Sequence, residues 1–229
     1  MTVAFILTLS AGILFLLFYA SYSMRWGVYL KSLCRNPKRG RVVALTFDDG
    51  PNFVQTPKVL DVLKEYNVKA CFFCIGKEAE NNKELLKRIS DEGHVIGNHS
   101  YNHTPSFPIL SVRGMVNDLK RCGSLLEEVT GKKTQLFRPP YGVTNPTVAK
   151  AVKKLGYITV GWNIRSLDTS RTQEATLKRI KRRLKDGSVI LLHDRMPFSH
   201  NLLKSLLEYL AEQGYEVVGL DELFNLKIS

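Results

Sequence analysis

Arg41-Val42-Val43-Ala44-Leu45-Thr46-Phe47-Asp48-Asp49-Gly50-Pro51 is the stretch on which the fold turns. Its β-branched, apolar front half reads as a buried strand, and Gly50-Pro51 as the turn that ends it. Two adjacent carboxylates sit where the strand stops. Side by side they repel each other unless something cationic lies between or beside them. An ordinary Asp-Asp-Gly turn also accounts for them, so this stretch alone leaves both readings open.

Working outward, similar β-rich runs begin near Lys69, His94, Gln135, Ile158, Ser188 and Glu216. Helical periodicity fills the gaps, over residues 57–66, 78–92, 111–130, 146–155, 173–185 and 202–213. Gly93, Gly156, Gly187 and Gly214 each follow a helical pattern, where a helix C-terminus favours glycine. Pro57 and Pro146 stand where a first-turn proline is tolerated. About seven strands alternating with helices imply one α/β domain with a parallel barrel or a doubly wound sheet. The polar residues sort by position. Asp48 and Asp49, Asn98 and His99, Arg138, Asp168 and His193 all fall just past a strand's carboxyl end. In a (β/α) barrel that face holds the active site.

His99-Ser100-Tyr101-Asn102-His103 places two imidazoles four residues apart. On a helical turn they share a face and can bind one ion. Two histidines and a carboxylate with open positions form a catalytic arrangement for zinc or a similar divalent ion. A lone H-x-x-x-H is weak, because solvated or capping histidines are common. His193 closes the apolar run Leu191-Leu192, where a satisfied core histidine competes with an acid as the reading. Asp168, at the preceding strand end, favours the acid.

Composition narrows the classes. With 33 Lys plus Arg against 21 Asp plus Glu, the formal charge is +12. Such a surface suits anionic partners. No cluster of aromatic and basic residues of the RNA-binding type is visible, so nucleic acid is not expected. Cys71 and Cys74 form a C-x-x-C, which invites a metal or redox reading. They lie in an apolar strand, however, and residues three apart on a strand point to opposite faces. With no second C-x-x-C, core packing is the expectation. Nothing in the sequence sets an oligomeric state.

Residues 3–20 carry no charge and are dominated by Ile, Leu, Phe and Ala. The run is expected to be an uncleaved membrane anchor over residues 1–24 rather than a signal peptide, since a basic leader and a small-residue cleavage site are both missing. Residues 25–40 then form a basic juxtamembrane linker, and residues 41–229 the domain. Arg25, Lys31, Arg35, Lys38, Arg39 and Arg41 place the domain on the cytoplasmic side by the positive-inside rule.

Together these segments resemble the NodB-type polysaccharide deacetylases, carbohydrate esterase family 4, from about Arg41 to Leu226. The family's T-F-D-D-G-P reads here as Thr46 to Pro51, its H-[ST]-x-x-H as His99 to His103, its R-x-P-[YF] as Arg138-Pro139-Pro140-Tyr141, and its L-x-H as Leu191 to His193. The resemblance implies a distorted (β/α) barrel that hydrolyses N-acetyl groups on amino-sugar glycans. Those glycans are peptidoglycan-like, chitin-like or lipid-linked. It further implies a divalent ion, zinc with cobalt or nickel as substitutes, held by Asp49, His99 and His103. Asp48 is then the general base, oriented by Arg138. The Tyr141 backbone N–H helps hold the oxyanion. His193 is the general acid with Asp168 behind it, and Leu191 lines the acetyl pocket. An O-acetyl esterase, another amide hydrolase or an inactive glycan-binding membrane protein are the alternatives. Anchored members act on envelope glycans, so the resemblance favours a domain outside the membrane against the basic flank. The family's D-x-x-D-W reads here as Arg165-Ser166-Leu167-Asp168-Thr169. The first carboxylate and the indole are replaced, which opens one wall of the expected pocket. His94, His200 and Trp162 match no family role and read as a residue near the opposite strand end, a loop residue and barrel packing.

Overall fold

The computed structural model describes residues 2–228, with side chains from residue 8 onward. Helix α1 (Thr2–Ser21) leads into an irregular segment. The domain then runs β1 (Val42–Asp48), α2 (Thr56–Glu65), β2 (Cys71–Cys74), α3 (Gly76–Asn81), α4 (Lys83–Asp91), β3 (Val95–Asn98), α5 (Val112–Thr130), β4 (Leu136–Phe137), α6 (Pro146–Leu155), β5 (Ile158–Thr159), β6 (Ile164–Arg165), α7 (Gln173–Arg183), β7 (Ser188–His193), α8 (Ser199–Glu212), β8 (Glu216–Val217) and α9 (Leu220–Phe224). Seven strands follow the order β5-β4-β3-β2-β1-β7-β6, all parallel, and β8 pairs with the first half of β1. The two ends of that path, β5 and β6, do not pair with each other. The result is a half-closed, distorted barrel.

Period-2 alternation builds it. Val43, Leu45 and Phe47 pack outward in one cluster with Val59 and Leu63 of α2 and Leu203 and Leu206 of α8. Ala44 packs inward with Phe73, Leu136, Val160 and Val189. The same parity carries Thr46 and Asp48 to the inner side, with Asp48 at the rim. Asp48 lies opposite His193 in the β1–β7 register, and Arg165 lies opposite Leu191. Cys71 falls in the inner cluster and Cys74 in the outer one, so the C-x-x-C is split across the sheet.

The run beginning at Ile158 is shorter than its sequence suggests. The strand ends at Thr159, Val160 forms an isolated bridge to Leu33, and a strand resumes at Ile164. Gly161 N–H instead donates to Leu33 O at 3.0 Å, and both amide groups of Asn163 bond β7 residues.

The membrane anchor, the single-pass location and the domain held outside a membrane are corrected. Among the described residues no helix is long and apolar enough to cross a membrane. Residues 1–7 of the expected span lie outside the described side chains. From residue 8 onward α1 runs to Ser21. Its last turn is also docked on the domain. Ser21 O accepts from Thr144 N–H at 2.8 Å, and Ala20 is buried. The basic residues that follow serve the fold. Arg35 Nε donates to Asp186 O, Arg39 pairs with Glu222, and Arg41 Nη1 donates to Gln213 O.

Candidate active site

Asp48, Asp49, His99 and His193 line one open cavity of ≈ 500 Å³ at the rim of the half-barrel, with Arg138 and Asp168 buried behind them, whereas the Asn98 amide turns away and donates to Leu119 O and Tyr157 Oη. Arg138 is the deepest, with no exposed surface. Its Nη1 donates to Asp48 Oδ1 at 2.7 Å and to Thr46 Oγ1 at 2.8 Å. Nε and Nη2 donate to the carbonyls of Val160 and Gly161 at 3.2 and 2.9 Å. The Phe73 ring lies 4.2 Å from the guanidinium. A charge this deep is tolerable because its donors are matched. Its pairing with Asp48 offsets part of the repulsion between Asp48 and Asp49.

Asp49, His99 and His103 each turn one ligand atom to a common point, all within 4.8 Å of one another. Asp49 Oδ1 is 3.5 Å from His99 Nε2 and 3.4 Å from His103 Nε2. Zinc bonds of about 2.0–2.2 Å separate tetrahedral ligand atoms by about 3.3–3.6 Å, so the set fits a divalent ion. His99 Nδ1 donates to Arg138 O at 2.8 Å, which leaves its Nε2 lone pair free to ligate. His103 Nε2 is buried with no hydrogen-bond partner among the described residues, a vacancy that an ion satisfies. Burial, with the charge of His99, pushes the His103 imidazole down to about 4, so it is neutral near pH 7. Burial opposes the Asp49 carboxylate, but the imidazoles of His99, His193 and His103 around it, when protonated, outweigh burial and hold the carboxyl well below the usual range.

The two histidines do not share a helix, contrary to the spacing argument. Ser100 and His103 take positive φ (67° and 48°) in an irregular loop. Asp118 of α5 shapes that loop by accepting from Tyr101 N–H at 2.7 Å and from the Asn102 backbone and side chain. Asp49, Tyr141 and Leu167 on the same rim also have positive φ. Non-glycine residues adopt that conformation only where their surroundings over-determine it.

Across the cavity, His193 Nδ1 donates to Asp168 Oδ1 at 2.7 Å, and His193 N–H donates to Asp168 Oδ2 at 2.7 Å. Ser166 Oγ holds Asp168 from behind at 2.9 Å. Burial disfavours the imidazolium, yet the Asp168 hydrogen bond and charge outweigh it and raise the His193 pKa. His193 Nε2 faces Asp49 Oδ2 at 3.9 Å. Leu191 lines the cavity, and the Tyr141 ring packs at a tilt of 46° against His103 with centroids 4.8 Å apart.

Four contributors escaped the sequence reading. Trp162, expected as packing, lines the cavity and covers Arg138 at 5.5 Å. Its indole lines the same cavity as Thr169, where the loss of tryptophan was expected to open a wall. Arg195 Nε donates to Asp49 Oδ2 at 2.9 Å from the rim. Asp194 is fully buried behind His193, and burial pushes its carboxyl up to about 7. Asp118 supports the histidine loop from inside a helix. Only Asp194 and Arg195 had a signal, their adjacency to His193. His200 lies in α8 rather than in a loop. His94 sits at the opposite end of the sheet, where its Nδ1 accepts from Ala70 N–H at 3.2 Å.

Comparison with known proteins places the chain in a family. The profile of the polysaccharide deacetylase family matches residues 35–160. The chain is 35% identical to the peptidoglycan-N-acetylglucosamine deacetylase PgdA of Listeria monocytogenes, over 87% of this chain and 43% of that protein, so it spans less than half that relative's length. It is 34% identical to the peptidoglycan-N-acetylmuramic acid deacetylase PdaA of Bacillus subtilis, over 80% of this chain and 71% of that one. Among solved structures, a peptidoglycan N-acetylglucosamine deacetylase superposes with TM-score 0.81 at 32% identity, covering 86% of this chain and 94% of its own. A family pseudoenzyme from Bacillus anthracis superposes with TM-score 0.77 at 29% identity, covering 83% and 67%. With the profile spanning more than half of its residues and the barrel shared, the chain belongs to the polysaccharide deacetylase family, carbohydrate esterase family 4.

Proposed function

We propose that this chain hydrolyses the N-acetyl groups of an amino-sugar glycan of the peptidoglycan type, using a divalent ion held by Asp49, His99 and His103. The observation that carries the reading is the convergence, in one open cavity, of a three-ligand cluster between an arginine-held aspartate and an aspartate-held histidine. An amide carbonyl is a poor electrophile, and a bound divalent ion supplies Lewis acidity and lowers the pKa of water. Asp48, oriented by its ion pair with Arg138, takes the proton from the attacking water. The oxyanion needs a fixed donor, and the Tyr141 backbone N–H is assigned to it. The amine cannot leave unprotonated, so His193, with Asp168 fixing its tautomer, delivers the proton from Nε2. Leu191 receives the acetyl methyl group.

Acetate release from peptidoglycan fragments tests the reading. Chelation is expected to abolish release, and zinc, cobalt or nickel to restore it. Asp48→Asn is expected to keep metal while losing about 10²–10⁴-fold in turnover, and Asp49→Ala to lose the metal itself. Full turnover in a protein shown to be metal-free would falsify the proposal. The pseudoenzyme neighbour keeps an inactive glycan binder in view. Against that reading stand the complete base, acid and ligand sets in this chain.

A further inference from the structure

Asp194 has no part in the roles assigned above, yet it is buried at the junction of the two halves of the centre. Its Oδ2 accepts from Thr56 Oγ1 at 2.5 Å. Thr56 Oγ1 in turn accepts the N–H of Asn52 at 2.7 Å. A Cβ placed on Gly50 would lie 2.2 Å from Asp194 Oδ2 and 2.6 Å from Oδ1, so the carboxyl fills the space where a side chain at Gly50 would go. Oδ1 has no hydrogen-bond partner among the described residues. A buried carboxyl held on one side only is costly, and an apolar residue of similar size is ordinarily the cheaper filling. An unpaired buried group of this kind calls for an explanation.

Its place supplies one. Asp194 follows His193 on β7, and its relay reaches the turn that carries Asp49. That turn holds Asp49 at φ 71°, a conformation a non-glycine residue keeps only under constraint. From the other side, Ile75 N–H donates to Gly50 O at 2.9 Å. We propose that Asp194 is a positioning residue which, through Thr56 and Asn52, clamps the Asp49-Gly50-Pro51 turn against the end of β7 and so aims the Asp49 carboxylate at the divalent ion. Without the clamp the turn relaxes, Asp49 leaves its left-handed conformation, and its oxygen moves away from His99 and His103. The inference rests on the metal-dependent reading above.

Cobalt titration of the metal-free protein, followed by absorbance, tests it beside the melting temperature of each metal-free variant. Asp194→Ala and Thr56→Val are each expected to weaken cobalt binding by about 10–100-fold, the usual effect of losing a group that orients a ligand. The double variant is expected to be no weaker than the worse single one, because both break the same relay. Asp194→Asn, whose amide oxygen still accepts from Thr56, is expected to stay within about threefold of wild type. A merely structural Asp194 lowers the melting temperature and leaves cobalt affinity at the wild-type value. That result overturns the inference, as does an asparagine variant as weak as the alanine variant. Thr56→Val is near-isosteric and decides the matter where Asp194→Ala does not fold. A folded wild type that takes up no cobalt overturns the metal-dependent reading and this inference with it, whereas cobalt uptake equal in all variants overturns this inference alone.

Discussion

His193 is half-buried beside one carboxylate and close to two more, and burial and charge pull its proton affinity in opposite directions. Asp168 wins, so the imidazolium persists above the usual value of about 6.5. A general acid works while protonated, so turnover is expected to fall as pH rises through this raised pKa. Asp168→Asn removes the charge that raises it. The alkaline limb of the pH–rate profile is then expected to move to lower pH by about 1 unit or more, with a lower maximum. A limb that stays in place assigns it to another group. At this scale the sequence was most legible where chemistry coincides with a strand end. Asp48, Asp49, His99, Arg138, Asp168 and His193 could be picked out before any coordinates. Trp162 could not, because an indole beside an apolar run reads as packing. Asp118 could not either, because an acidic residue within an amphipathic helix reads as solvated.

Strand and helix boundaries follow the same logic less faithfully. The long apolar runs at β1 and β7 stand out because both faces are buried, outward under helices and inward in the barrel. Two-residue strands such as β5 and β6 leave no periodicity to read, and their edges are set by partners distant in sequence. The spacing of His99 and His103 suits a helix, yet Asp118 draws the loop backbone to itself. Gly97 in β3 shows how tightly one element fixes another. A Cβ there would lie 2.4 Å from the Phe73 ring, which itself lies beneath Arg138. Gly97→Ala is therefore expected to destabilise by about 1–3 kcal/mol through overpacking. Each kcal/mol lowers the melting temperature by about 2–4 °C in a domain of this size. Turnover is expected to fall as well, because the Phe73 ring packs directly against the Arg138 guanidinium. A variant that melts at the wild-type temperature removes this reading of the glycine.

For the molecule as a whole, the segment after α1 matters more than the opening residues suggested. An uncharged apolar run followed by basic residues reads as an anchor and a collar. Sequence alone gives no sign that Leu33, Cys34 and Asn36 turn back onto the barrel. They do so where β5 and β6 leave the sheet unclosed. Leu33 N–H donates to Thr159 O at 2.9 Å, and Asn36 N–H donates to Gly187 O at 2.9 Å. Cys34 is buried, with Sγ 2.5 Å from where a Cβ on Gly161 would be. This strap backs the carbonyls of Val160 and Gly161, the two that fix the lower edge of Arg138. Leu33→Pro removes one donor and leaves Thr159 O without its partner, at an expected cost of about 1–3 kcal/mol. Hydrogen exchange is expected to quicken at the Gly161 amide, which loses its hold on Leu33 O as the strap lifts. Because Arg138 orients Asp48 through the same carbonyls, turnover is expected to fall more than substrate binding. Wild-type exchange at Gly161 together with a wild-type melting temperature would mean that the strap merely lies on the sheet and does not support it.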